Sequence, residues 1–162
     1  MFRRILIPVW IGIILLSGMF LMGQESWCPQ TGPLADVLNV FVTEEDGAYL
    51  FKVRVSSPDV GCSQYADWWE LLTPEGELLF RHILLHSHPC PLSPNPFTRP
   101  GGPYPVDPQQ TIIVRAHMNN LGYGGAAMRG SVASGFEPAP DITAEFAPEV
   151  ETLDPQPPLC PF

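Results

Sequence analysis

Proline constrains this chain more than any other residue. The 162 residues include 20 prolines, eight of them between Pro89 and Pro108 and seven between Pro138 and Pro161. Proline fixes φ and has no backbone N–H, so neither a helix interior nor a central strand can run through such stretches. The chain therefore reads as a body over residues 28–136, interrupted by a proline-rich loop over 89–108. A tail over 137–162 follows, with six acidic side chains and no basic one. That tail reads as extended and irregular.

Between the proline clusters the pattern is that of short strands. Ala48 to Ser56 alternates, with Tyr49, Phe51, Val53 and Val55 on one face and Lys52 and Arg54 on the other. Alternation of this kind marks a half-buried strand. Val37 to Thr43, Tyr65 to Thr73, Glu77 to His88, Thr111 to Asn119 and Met128 to Ala133 are further strand-like segments. Glu44-Glu45-Asp46-Gly47, Pro74-Glu75-Gly76 and Asn119-Asn120-Leu121-Gly122 separate them as turns. About six short strands with no strong helix predict an all-β, antiparallel sandwich.

The N-terminus is patterned for export. Arg3 and Arg4 precede an uncharged run from Ile5 to Met22, the charged and apolar regions of an export signal. Residues 1–23 are thus expected to be a signal peptide, or a retained membrane anchor, since the run is nearly long enough to span a bilayer. Cys28 follows Glu25-Ser26-Trp27, which is not the small-residue context of a lipid-attachment site.

Beyond residue 23, six basic side chains face 17 acidic ones, a net charge of −11. Such a body repels phosphate backbones and anionic membranes, which argues against nucleic acid as a partner. Contact with a membrane is expected only through an uncleaved N-terminal segment. The localisation this implies is extracytoplasmic: periplasmic, cell-surface or secreted.

An exported chain with four cysteines is expected to form disulfides. A hairpin turning at Pro74 to Gly76 places residues opposite each other when their numbers sum to about 150. Cys62 and Cys90 nearly satisfy this, so the geometry predicts Cys62–Cys90 and, by elimination, Cys28–Cys160. The second bridge would tie the two ends of the chain together.

The same hairpin carries His82, His86 and His88, which share parity with Leu78, Phe80 and Leu84. His86 and His88 would stand roughly 6.6 Å apart along a strand, close enough to share a metal. A third ligand would come from another strand, with His117 the candidate. Copper or zinc would suit such donors. Against this, a histidine between Phe80 and Leu84 is more commonly a packed core side chain. Trp68, Arg99 and Arg115 are candidates for ligand binding. The two adjacent tryptophans, Trp68 and Trp69, must face opposite sides of a sheet, one toward the core. The other is expected under the proline-rich loop, or exposed as a platform for sugar or peptide. Arg99 sits in a constrained Pro-Phe-Thr-Arg-Pro-Gly-Gly loop and Arg115 shares parity with His117, so arginines could form an anion pocket.

No Gly-x-Ser-x-Gly, His-Glu-x-x-His or phosphate-loop motif is present. Ser87 lies between two histidines, but strand neighbours point to opposite faces and cannot pair as nucleophile and base.

The stretch from Ile112 to Gly124, Ile-Ile-Val-Arg-Ala-His-Met-Asn-Asn-Leu-Gly-Tyr-Gly, resembles the late strand and glycine-bearing turn of fibronectin type III domains. With Trp68 or Trp69 as an early-strand tryptophan, the resemblance implies an immunoglobulin-like sandwich. Tyr65 to Glu70, His86-Ser87-His88, Pro96 to Arg99 and Gly122 to Gly125 together resemble a group of uncharacterised secreted bacterial proteins, a likeness that implies no activity. The reading at this point is an exported, non-catalytic module that binds a protein or glycan partner or serves a structural role. The alternative is an extracytoplasmic copper or zinc binder using His86, His88 and His117.

Overall fold

The computed structural model describes residues 32–160 and is built of two antiparallel sheets. In chain order its strands are β1 (Asp36–Glu45), β2 (Ala48–Ser56), β3 (Ala66–Leu72), β4 (Leu78–Ile83), β5 (Phe97–Tyr104), β6 (Ile112–Met118), β7 (Met128–Ser131) and β8 (Gly135–Pro138). One sheet has the order β1-β2-β5 and the other β4-β3-β6-β7-β8. The expected all-β sandwich is what the chain forms, and β2 has the bounds its alternation predicts.

The main core lies between the sheets. Phe51, Val53 and Val55 of β2 and Phe97 of β5 meet Trp69 and Leu71 of β3 and Ile112, Val114 and Met118 of β6. Burying each large apolar side chain stabilises the fold by roughly 1.5–3 kcal/mol. β3 and β6 are buried along their whole length, so both of their faces are covered. The second face has its own apolar cluster, in which Trp68, Leu72, Ile113 and Tyr123 meet Ile142 and Val150.

That second cluster changes the status of the tail. Residues 137 and 138 complete β8. The segment beyond then crosses the outer face of the five-stranded sheet and includes a short 3-10 helix, Pro148–Thr152, with proline in its first turn. Its charge is at the surface, while Ala139, Ile142 and Val150 are buried. It therefore forms a strap, a third layer over β3 and β6, in place of the expected irregular tail.

The proline-rich segment differs in a second way. β5 runs through it, carrying Pro100 and Pro103, because β5 pairs only with β2 and is an edge strand. Proline is tolerated where the missing N–H would face no partner. Close packing also demands glycine here. A Cβ at Gly101 would lie 2.5 Å from Cζ2 of Trp69 and 2.9 Å from Nδ1 of His82.

The cysteines pair otherwise than the hairpin arithmetic predicts. Cys62 bonds Cys160 with a Cα–Cα distance of 5.6 Å, so neither Cys62–Cys90 nor Cys28–Cys160 forms. The arithmetic fails because β3 and β4 pair only as far as Trp68 and Ile83. The Leu84 amide still donates to the Asp67 carbonyl at 2.8 Å, and beyond it the chain leaves the hairpin and leads to β5 of the other sheet. Cys90 is itself disulfide-bonded, and no free cysteine occurs among the described residues. The expected signal or anchor at residues 1–23 and Cys28 also lie outside the described residues.

Candidate functional site: a buried charge layer and an open cleft

The sequence-predicted site residues fall into two places. Trp68, Arg115 and His117 lie on the outer face of the five-stranded sheet, beneath the strap. His82, His86, His88 and Arg99 lie at the open edge between β4 and β5.

Under the strap, register brings charges together. Glu70 of β3 stands between Arg81 of β4 and Arg115 of β6 as their direct cross-strand neighbour. This pairing sums to 151, so Arg81 faces Glu70 and not position 69 as the hairpin arithmetic expects. A one-residue slip moves a side chain to the other face. Arg81 Nε donates to Glu70 Oε2 at 2.8 Å and Arg115 Nε donates to Oε1 at 2.9 Å, with all three side chains buried. The remaining guanidinium donors are used by the strap. Arg81 reaches the carbonyls of Val150 and Leu153, both at 2.6 Å, and Arg115 reaches those of Phe146 and Ala147. Two buried cations are thereby satisfied by one carboxylate and a set of backbone oxygens, the condition under which burying charge is tolerable.

Aromatic faces complete this layer. Arg81 lies over Trp68, 4.3 Å from the ring centroid, and Arg115 lies 3.5 Å from that of Tyr123. His117 stacks on Trp68 at 3.7 Å, and its Nδ1 is 2.7 Å from Asp67 Oδ1. Its Nε2 is buried without a hydrogen bond, with Glu151 Oε1 of the strap 3.4 Å away. Burial pushes the Asp67 carboxyl above its ordinary pKa, an effect the His117 contact opposes. Trp68 is only 2% exposed. The strap covers it, not the proline-rich loop, so neither it nor Arg115 presents a surface to a ligand.

The second place is open. His82, Ile83, Leu84, Leu85, His86, His88 and Arg99 line a cleft of about 210 Å³. His82 comes from β4 and stacks on Trp69. His86 and His88 follow β4 and have ring centroids 4.6 Å apart, in keeping with the proximity expected of them. His88 is buried, stacked on Phe97 at 4.0 Å, and its backbone N–H donates to Asp59 Oδ2 at 2.7 Å. Asp59 Oδ1 also accepts from Ser57 Oγ and from the Ala66 amide. Arg99 of β5 closes the far side, its Nη2 2.5 Å from His88 Nε2.

Arginine has only donors, so His88 Nε2 must be the acceptor, and in the neutral ring the proton sits on Nδ1. That atom is buried without a hydrogen bond, with Asp59 Oδ2 3.9 Å off. Burial first, then the Arg99 charge and the neighbouring His86, push the His88 pKa down to about 4. Burial and Arg99 also lower that of His82.

These contacts bear on the metal reading. The His88 lone pair is taken by a guanidinium, whose charge opposes a second cation. His117 is not among the cleft residues, and it is held by Asp67 on the other face of the sheet. Among the described residues no group of three or more His, Cys, Asp or Glu side chains is placed to hold a metal ion. The copper or zinc site expected from His86, His88 and His117 is therefore not assembled. What sequence reasoning missed is the Arg99–His88 contact, because His88 lies in the β4–β5 connection and Arg99 on β5, and no periodicity links them.

Comparison with known proteins gives one informative relative. The chain is 37% identical over 102 residues to a protein of Halomicrobium mukohataei named "Putative lipoprotein". The match covers 62% of this chain and 49% of that protein, so the chain spans about half the length of the curated relative it matches. No family model and no solved structure matches the chain.

Proposed function

We propose that this protein is an extracytoplasmic, non-catalytic β-sandwich module that binds a partner through the open β4–β5 edge. The observation that carries the reading is the Cys62–Cys160 disulfide, which joins residues 98 apart and fastens the strap to the body. A bridge of that kind is maintained in oxidising compartments and lost in reducing ones. The relative's name places that protein among lipoproteins, in keeping with export. The strand order, β1-β2-β5 against β4-β3-β6-β7-β8, supports an immunoglobulin-like arrangement.

A binding role is favoured over catalysis by how the histidines are spent. His117 Nδ1 faces Asp67 and His88 Nε2 faces Arg99. Among the described residues no histidine hydrogen-bonds a hydroxyl or thiol that it could activate. With the outer face of the larger sheet covered by the strap, the cleft at the β4–β5 edge brings His86, His88 and Arg99 to one opening that suits a protein or glycan partner.

The test is fractionation of the native producer with mass spectrometry of the recovered protein. Recovery outside the cytoplasm, with no free thiol after denaturation and with the Cys62–Cys160 peptide pair intact, is expected. Recovery from the cytosol with all thiols reduced overturns the reading.

A further inference from the structure

We propose that the β4–β5 cleft is a receptor for a single carboxylate group of a ligand, with Arg99 as its anchor. The inference rests on the preceding reading that this edge is the binding edge.

Arg99 differs from the arginines that have carboxylate partners. Arg81 and Arg115 share Glu70, and Arg129 is paired with Asp141. Among the described residues no carboxylate forms an ion pair with Arg99 or with the exposed Arg54 of β2, and of these two it is Arg99 that lines the histidine cleft. Its guanidinium spends one donor on the Thr98 carbonyl at 3.0 Å and one on His88 Nε2. Three of its five N–H donors are left over. In a protein so rich in acidic side chains, a cleft arginine without an acidic partner has a place for one.

The donor is also held in position. His88 is fixed by its stack on Phe97 and its backbone bond to Asp59, and it in turn fixes the Arg99 fork. A guanidinium oriented before binding loses less entropy on engaging a carboxylate, and the fork geometry suits bidentate contact. His86 is exposed at the rim and supplies a ring N–H donor, while exposed Leu85 offers contact to the carbon skeleton behind the charge.

Charge limits the ligand. His82 and His88 are held toward their neutral forms, so Arg99 is the permanent cation of the cleft. One positive charge on a strongly acidic body compensates a monoanion, whereas a phosphate dianion would meet net repulsion. The volume of about 210 Å³ admits a carboxylate head and its first carbons, not a whole polymer.

The experiment is a titration of the oxidised full chain followed by the imidazole C–H resonances of His86 and His88. The probes are glucuronate, N-acetyl-aspartate, inorganic phosphate and the neutral methyl glucoside. Saturable shifts with glucuronate or with the acetylated amino acid are expected, and the probe that produces them identifies a sugar acid or a protein side chain as the source. Arg99→Gln should weaken binding by roughly tenfold or more, the usual effect of losing a charged hydrogen bond. Arg99→Lys keeps the charge but loses the fork, and should bind more weakly than wild type. Absence of a saturable shift with both carboxylates overturns the proposal, as does an equal response to methyl glucoside or tighter binding of phosphate. So does unchanged binding in both variants. Such failure in protein that is exported and oxidised would leave the broader reading standing.

Discussion

Arg115 donates through Nε to Oε1 of Glu70 at 2.9 Å, and Arg81 makes the matching bond to the other oxygen of the same carboxylate. One acidic side chain thus neutralises half the charge of a buried pair of arginines, and strap carbonyls satisfy the rest. Glu70→Gln keeps the volume and removes the charge. It leaves two buried guanidinium groups facing each other with no counter-charge, which costs about 3–5 kcal/mol. Against a typical domain stability of roughly 5–15 kcal/mol that is a large share. Urea denaturation should show a sharply lower midpoint with an unchanged slope. Arg129→Ala, which removes only the exposed pair with Asp141, should leave the midpoint in place.

The strap has a second fastening in the Cys62–Cys160 bond, which closes a loop of 98 residues. Restricting the unfolded chain over such a loop stabilises the fold by roughly 4–5 kcal/mol on the chain-entropy argument. The double variant Cys62→Ser/Cys160→Ser should unfold at correspondingly lower denaturant. Its strap should also open ahead of the sandwich. Limited proteolysis is expected to cut between residues 153 and 160 in the variant and not in the oxidised protein.

The sandwich was legible because local signals and global packing agree. Ala48–Ser56 alternates on a strand with one face in the core, and an Asp46-Gly47 turn, within the expected Glu44–Gly47 stretch, joins it to β1. β5 was not legible, since Pro100 and Pro103 argue against a strand unless it is known to be at an edge. The strap was hidden for a related reason. Its composition is that of an irregular acidic tail, and a few scattered apolar residues carry its docking: buried Ala139, Ile142 and Val150, with Phe146 and Ala147 partly buried beside them. The cleft was half legible. Spacing brought His86 and His88 together, but the Arg99 that contacts His88 arrives on β5, and Cys62 finds Cys160 in the strap. Such contacts are set by tertiary packing, which no sequence periodicity encodes.

Gly101 tests how tightly the two edges meet. No positive φ is involved, so the demand is steric. An added methyl would sit 2.5 Å from the Trp69 ring and 2.9 Å from His82 Nδ1. Gly101→Ala must displace β5 or rotate a tryptophan that is fully buried in the main core. Overpacking of this kind costs about 1–3 kcal/mol. The variant should show a lower thermal midpoint and altered near-ultraviolet dichroism from the tryptophan. The same substitution at Gly47, where a Cβ meets nothing within 4 Å but φ is +81°, acts through backbone strain alone and should leave the tryptophan signal unchanged.

The cleft histidines give stability a pH dependence of definite sign. Burial and the Arg99 charge hold His88 at a pKa of about 4, below its ordinary 6.5, and lower His82 in the same sense. Between those two values the unfolded chain binds protons that the folded chain refuses. Stability is then fully present above pH 6.5 and is lost as the pH falls toward 4. Burial shifts Asp67 the opposite way, above its ordinary 3.8. Its protonated form is therefore favoured on folding, and its contribution is retained in acid and lost as the pH rises through the folded value. The two effects act at neighbouring pH and oppose each other, so a single variant separates them. Urea midpoints measured from pH 7.5 down to 4.5 should fall for the wild type. In His88→Gln, which cannot take up a proton, the fall should be shallower. A midpoint that rises on acidification in the wild type, or an equal slope in both proteins, would place His88 outside the titrating set.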